Sequence, residues 1–269
     1  MDTASHAFSV GQLIATVGTA RAPQIVDVRR TRAFDDEPVL IPGALKRLTA
    51  TIAAWARSLD RNRPVVAYCV HGLEVSKDAA AMLREMGFDA RFLAGGIHAW
   101  RDAGAPIVRR LPALDLPGPA PSRWVTRARP KIDRIACPWL IRRFIDPLAT
   151  FLYVAAEEVN AVAADERAIP FDVPDVQFAH RGERCSFDAL LQDFELSSAA
   201  LARLASIVRG ADTGRLDLAA ESAGLLAISR GLGISYADDD AVLAHGVEIY
   251  DALYAWCRES TEGKQESPA

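Results

Sequence analysis

Short apolar runs alternate with longer amphipathic stretches through the first part of the chain. The runs centre on 25–28, 65–68 and 90–93, and the stretches lie near 9–17, 48–59 and 76–86. Strands that alternate with helices predict a mainly parallel sheet with helices on both faces, an α/β arrangement. Ser9 and Ser76 are read as helix N-caps, and Gly87 as the residue just past the end of the Ser76 helix. Beyond Arg123 the pattern turns mainly helical, which predicts an α+β second part. An amphipathic helix is expected over Asp133–Ile145, opened or kinked by Pro138. A strand follows at Phe151–Ala155, a short helix near 157–164, and short strands at Ala168–Val173 and Val176–Ala179. Ser186 is read as the cap of the next helix. Ser197–Arg209 reads as a strong helix closed by Gly210, and two more are expected near 217–230 and 238–258.

Between the two parts, residues 111–122 hold four prolines and a glycine, and read as a semi-extended linker. The expected organisation is a first domain over 1–110, this linker, a second domain over 123–258 and a polar, disordered tail over 259–269. A chain of 269 residues accommodates two such domains. Its 50% hydrophobic and 25% charged residues are those of a soluble globular protein, and a net charge of −4 offers nucleic acid no global positive field. The four cysteines, at 69, 137, 185 and 257, form no CxxC pair, which favours reduced thiols in the cytoplasm over disulfides. Met1 to His6 lack a basic region followed by an apolar core, so no secretory leader is expected. No apolar run reaches about 18 residues, so no membrane span is expected.

Chemistry concentrates at Cys69. The apolar run Val65-Val66-Ala67-Tyr68 delivers this thiol into a loop, Val70-His71-Gly72-Leu73-Glu74-Val75-Ser76, that runs straight into a helix-forming stretch. Main-chain N–H groups and a helix N-terminus converge at such a turn, and there they stabilise a thiolate, a persulfide or a bound oxyanion. A buried, inert cysteine at a strand end is the alternative. Gly72 allows a left-handed turn. Glu74 is the discordant residue, because a carboxylate beside a thiolate disfavours ionisation and repels dianions. His71 would offset it if the two paired.

Around this loop stand Ile25-Val26-Asp27-Val28-Arg29, Ile41-Pro42-Gly43-Ala44 and Leu93-Ala94-Gly95-Gly96-Ile97-His98-Ala99-Trp100. This ordered set resembles the rhodanese-like (thiosulfate sulfurtransferase) family over residues 8–110. The resemblance implies Cys69 as the catalytic sulfur carrier, a sulfane-sulfur donor and a thiol acceptor as partners, and a bracing role for Asp27 and Arg29. Trp100 and Phe92 are expected in the core. Two features depart from the family pattern. Ser76 stands seven positions after the cysteine rather than six, and Glu74-Val75 occupies the place of the usual arginine.

In the second part, the block from Arg123 to Ile145, with the segments Phe178–Asp188, Val208–Thr213, Gly224–Ser229 and Ala244–Gly246, resembles the C-terminal domain of the ChrB-type chromate-resistance family. That resemblance implies binding of chromate or a similar oxyanion. Arginine forks match tetrahedral oxyanions, and Arg127 and Arg134, with His180, are the candidate oxyanion ligands. Asp133 is read as a helix cap. His180, Glu183, His245 and Glu248 are the candidate ligands for Fe, Mn or Zn; spacing of three puts His245 and Glu248 on one helix face. The leading expectation is a persulfide carrier joined to an oxyanion- or metal-binding domain, acting in chromate resistance or oxidative stress. The alternatives are a non-catalytic chromate sensor, and an oxyanion reductase in which Cys137, Cys185 or Cys257 resolves a disulfide with Cys69.

Overall fold

A computed structural model describes residues 6–118 and 120–262. The chain divides into two compact units, Met1–Ala120 with Arg143–Pro147, and Pro121–Arg142 with Leu148–Ala269. No helix among the described residues is long and apolar enough to cross a membrane.

The first unit contains strands β1 (Ala7–Phe8), β2 (Gln24–Asp27), β3 (Val39–Leu40), β4 (Ala44–Lys46), β5 (Val65–Tyr68), β6 (Ala90–Leu93) and β7 (Val108–Arg109). Its helices are α1 (Val10–Thr16), α2 (Thr31–Asp35), α3 (Ile52–Trp55), α4 (Glu74–Glu85) and α5 (Gly96–Asp102). Five strands form one parallel sheet in the order β1-β6-β5-β2-β4. β5 is central and every one of its residues is buried, as a parallel strand covered on both faces requires. Val66 and Tyr68 join the cluster of Leu13, Ile25, Leu93, Ile97 and Trp100, while α4 lies against β5 and β6. Ser9 caps α1 as expected, accepting the Gln12 N–H at 3.1 Å while Gln12 Oε1 accepts the Ser9 N–H at 2.9 Å. Gly87 closes α4 with φ +87°, and Phe88 N–H reaches back to Leu83 O at 3.0 Å. The proline-rich segment is not extended. Pro112–Leu114 forms a tight helical turn, Leu111 pairs with Leu116, and Leu116 is 2% exposed. Burying that leucine outweighs the extended preference of its prolines.

The second unit holds a parallel three-stranded sheet, β10 (Ile169–Pro170), β8 (Arg123–Arg127) and β9 (Thr150–Val154), in that order. Around it lie α6 (Asp133–Leu140), α7 (Val159–Asp165), α8 (Ser186–Asp193), α9 (Ala199–Thr213), α10 (Ser222–Ser235) and α11 (Asp239–Glu262). Pro138 neither opens α6 nor ends it; the helix runs through it and continues as a π turn over Ile141–Ile145. Proline removes the N–H that Arg134 O would have accepted four residues back. Tyr153 on β9 donates its hydroxyl to that oxygen at 3.1 Å instead. Gly210 does not close α9, which extends to Thr213 and is closed by Gly214 at φ +73°. Gly210 is instead a packing glycine, since a Cβ there would lie 2.3 Å from Ser222 Oγ on α10. Of the expected tail, 259–262 belong to α11, and 263–269 lie outside the described residues.

Candidate functional site

Cys69 follows β5 directly, at the carboxyl edge of the first sheet, where α/β folds place their ligands. The backbone of its loop is held from below. Ile97 and His98 at the start of α5 donate to the carbonyls of Cys69 and Val70 at 3.0 and 3.2 Å. Gly72, at φ +68°, lies where a Cβ would meet Leu93 O at 2.3 Å and Gly95 N at 2.6 Å. Gly96, at φ +61°, makes the reciprocal approach to Cys69 O and Val70 O. These contacts engage the loop carbonyls and leave the amides free. Among the described residues, no N–H from Val70 to Ser76 is donated to a protein acceptor. A run of consecutive unpaired amides leading into a helix N-terminus is an anion cradle.

Cys69 is 7% exposed and lines a cavity of about 270 Å³ together with Arg29, Arg30, Ala33, His71 and Glu74. Among the described residues, the side chain within hydrogen-bond reach of the sulfur is Ser76, with Sγ and Oγ 3.2 Å apart. Ser76 is therefore not a cap. α4 begins at Glu74, its N-cap is Leu73, and Ser76 sits within the first turn, buried, with its hydroxyl also within 3.1 Å of Leu73 O. Glu74 opens the helix as an exposed residue, where its charge complements the dipole. His71 does not pair with it; the ring packs edge-on against His98 at 4.5 Å.

Asp27 and Arg29 are both fully buried and form a bidentate pair. Arg29 also donates to the carbonyls of Glu37 and Val39, and Tyr68 donates its hydroxyl to Asp27 at 3.0 Å. A guanidinium so fully engaged braces β2, β3 and β5 against one another and leaves little for a ligand. Arg30, next to it, is exposed, lines the Cys69 cavity, and has no carboxylate partner among the described residues.

In the second unit, Arg127, Arg134 and His180 do converge, but on a carboxylate. Arg127 Nη2 and Arg134 Nε lie 3.2 and 3.3 Å from Asp172 Oδ2, and His180 Nε2 lies 3.4 Å from Asp172 Oδ1. His180 Nε2 is also 3.0 Å from Asp212 and 3.7 Å from Asp133. Hydrogen bonds to Asp172 and Asp212 raise the imidazole pKa to about 10. Burial, then the charges of Asp212 and Asp172, push the Asp133 carboxyl well above the usual range. Burial opposes ionisation of Asp172 too, but His180, Ser186 and the two arginines outweigh it and hold that carboxyl low.

Asp133 is not the cap of its own helix. Its Oδ2 accepts the N–H groups of Ser186 and Phe187 at 2.5 and 3.3 Å, so it caps α8 from across the fold. Ser186, read as that cap, instead donates its hydroxyl to Asp172 at 3.0 Å.

Comparison with known proteins gives each unit a relative. Residues 9–103 match the rhodanese-like domain family and residues 124–257 match the family "ChrB, C-terminal domain". Over 98 residues, 36% of this chain and 93% of the relative, the chain is 38% identical to a thiosulfate sulfurtransferase GlpE of Shewanella oneidensis. The chain belongs to the rhodanese-like family. Its second unit is a ChrB C-terminal domain, 41% identical over 133 residues to Protein ChrB of Cupriavidus metallidurans. That match spans 49% of this chain and only 40% of ChrB. Among solved structures, a rhodanese-like domain protein from Staphylococcus aureus is 28% identical over 35% of this chain and 89% of its own, with a TM-score of 0.32.

The ChrB domain does not assemble the metal ligands expected from sequence. The buried face of its α11 carries Val242, Leu243, Gly246, Tyr250 and Tyr254, which leaves His245 and Glu248 together on the solvent face. His245 stacks on Tyr236 at 4.4 Å. Glu183 is 91% exposed and lies 3.8 Å from Arg215. Of the four, only His180 belongs to a cluster, and its companions are Asp133 and Asp212. Asp172 and Asp212 escaped the sequence reading. Ending α9 at Gly210 left Asp212 in a loop, and the strand expected over Ala168–Val173 took in Asp172 with nothing to mark its partners, whereas the strand covers only Ile169–Pro170. Cys137, Cys185 and Cys257 are wholly buried, and burial pushes all three thiols up, Cys257 to about 11. None presents the exposed thiolate that resolving a disulfide requires.

Proposed function

We propose that this protein accepts and passes sulfane sulfur on Cys69. The Cys69 thiolate attacks the outer sulfur of an anionic donor such as thiosulfate. A new Sγ–S bond forms, the donor S–S bond breaks, and sulfite leaves with its electron pair. An acceptor thiolate then attacks the terminal sulfur of the Cys69 persulfide, and the Cys69 sulfur departs as thiolate. The reading is carried by the unpaired amides of Val70 to Ser76 beside the cavity that Cys69 lines, a cradle for the negative charge of thiolate and persulfide. Arg30 supplies from α2's approach the cation that the Cys69 loop lacks, and offsets Glu74 toward an anionic donor. The ChrB domain supports placing this chemistry in chromate resistance, in the cytoplasm. The decisive experiment is intact-protein mass spectrometry after thiosulfate treatment. The expected result is one added sulfur atom on Cys69, and none in Cys69→Ala. No adduct on the native protein, with turnover unchanged in Cys69→Ala, overturns the reading.

Exposed Glu74 at the cavity favours a second reading, in which the site binds an oxyanion or partner without turnover. Calorimetric titration with thiosulfate and with chromate separates the two: heat of binding without persulfide supports the sensor.

A further inference from the structure

The polar centre of the ChrB domain has the makings of a cation site. Asp133, on the first turn of α6, is 0% exposed, and its Oδ1 has no hydrogen-bond partner among the described residues. A bare carboxylate oxygen with no donor costs more than a buried group ordinarily bears. Beside the Asp133 carboxyl lie the His180 ring and the Asp212 carboxylate of α9, and one ligand atom from each of the three sits within 4.8 Å of the others. His180 Nε2 lies 3.0, 3.4 and 3.7 Å from oxygens of Asp212, Asp172 and Asp133. Two donors held about 2.1 Å from one ion lie about 3.0–3.4 Å apart at octahedral or tetrahedral angles. The 3.0 and 3.4 Å spacings are those of neighbouring positions in one coordination shell and the 3.7 Å to Asp133 is slightly wider; a cation bound here takes the place of the imidazole proton that Asp212 and Asp172 otherwise hold.

The surrounding groups are those of an outer shell. Ser186 N–H and Phe187 N–H orient Asp133, while Ser186 Oγ, Arg127 and Arg134 hold Asp172 in place. The His180 side chain is 42% exposed, so an ion can reach the centre from solvent.

We infer that Asp133, His180 and Asp212 form a binding site for one divalent transition cation, with Asp172 alongside. One imidazole among carboxylates suits manganese, ferrous iron or zinc; the absence of thiolate from the set argues against copper(I).

The test uses the full chain stripped with chelator and then titrated with Mn²⁺, Co²⁺ or Zn²⁺ alone. The expected result is one equivalent bound, at least tenfold weaker in His180→Ala and in the near-isosteric Asp212→Asn, and unchanged in His245→Ala. Visible absorption of bound Co²⁺ gives a readout independent of any activity, and Cys69→Ser retains it. Thermal unfolding separates lost binding from lost fold: the two variants are expected to keep a cooperative transition that Mn²⁺ no longer raises. Failure of the stripped native chain to take up any of the three ions overturns the inference. So does binding that both variants leave intact. Neither result touches sulfur transfer on Cys69.

Discussion

The Ser76 hydroxyl lies within reach of two acceptors, the carbonyl of Leu73 at 3.1 Å and the sulfur of Cys69 at 3.2 Å. A thiol needs nothing from it, whereas a thiolate or persulfide takes its proton as a hydrogen bond. In the proposed sulfur transfer, Ser76 is thus expected to act as a positioning residue. In Ser76→Ala, Cys69 alkylation and sulfur uptake at neutral pH are expected to slow about tenfold, from the loss of one charge-assisted hydrogen bond. The alkylation pH profile shifts upward, Ser76→Thr restores much of the rate, and thermal stability stays nearly unchanged. In the proposed transfer, Arg30 is expected to act on the donor rather than on the sulfur. Arg30→Ala is expected to raise the steady-state KM for thiosulfate several-fold while kcat holds, and to matter less for a neutral persulfide donor. Neither role was legible in the chain. Ser76 resembles a cap because it precedes a helix-forming run, and only the true start of α4 at Glu74 turns its side chain inward. Arg30 is far from the loop in sequence and meets the cavity only through the pairing of β2 with β5.

Elements matter here through their ends and contacts. Gly210 lets α9 approach α10 so closely that a Cβ would meet Ser222 Oγ at 2.3 Å and Arg215 O at 2.9 Å. Helix propensity favours alanine at such a position by about 1 kcal/mol, but overpacking costs about 1–3 kcal/mol, so the net sign is destabilising. Gly210→Ala is expected to lower the denaturation midpoint in urea and, by moving Asp212, to weaken cation binding. Tyr153 serves the element that Pro138 disrupts. Tyr153→Phe leaves Arg134 O without its donor, and a loss of about 1–3 kcal/mol in chemical denaturation is expected. The periodic pattern located the helices, including the alternation of β5 with α4. It misjudged their boundaries at glycines and serines, because those residues serve packing and capping equally well.

At the scale of the whole molecule, the two centres use separate residues in separate compact units. Cys69→Ala is expected to abolish persulfide formation and leave Mn²⁺ uptake by the full chain unchanged; His180→Ala is expected to do the reverse. Paired mass spectrometry and metal analysis of both variants check this. The order of strand, DxR, cysteine loop and paired glycines was enough to establish a parallel α/β unit and to single out Cys69 as the thiol on which the proposed chemistry rests. Each of those features is local, dictated by turn geometry and by runs of apolar residues short enough to read along the chain. The polar centre of the ChrB domain lay beyond such reading. Asp133, Asp172, His180 and Asp212 come from different elements with no shared period, and spacing along one helix suggested His245 and Glu248 in their place. Which carboxylates meet an imidazole depends on which helix faces are buried, and burial is settled by packing among elements distant in sequence.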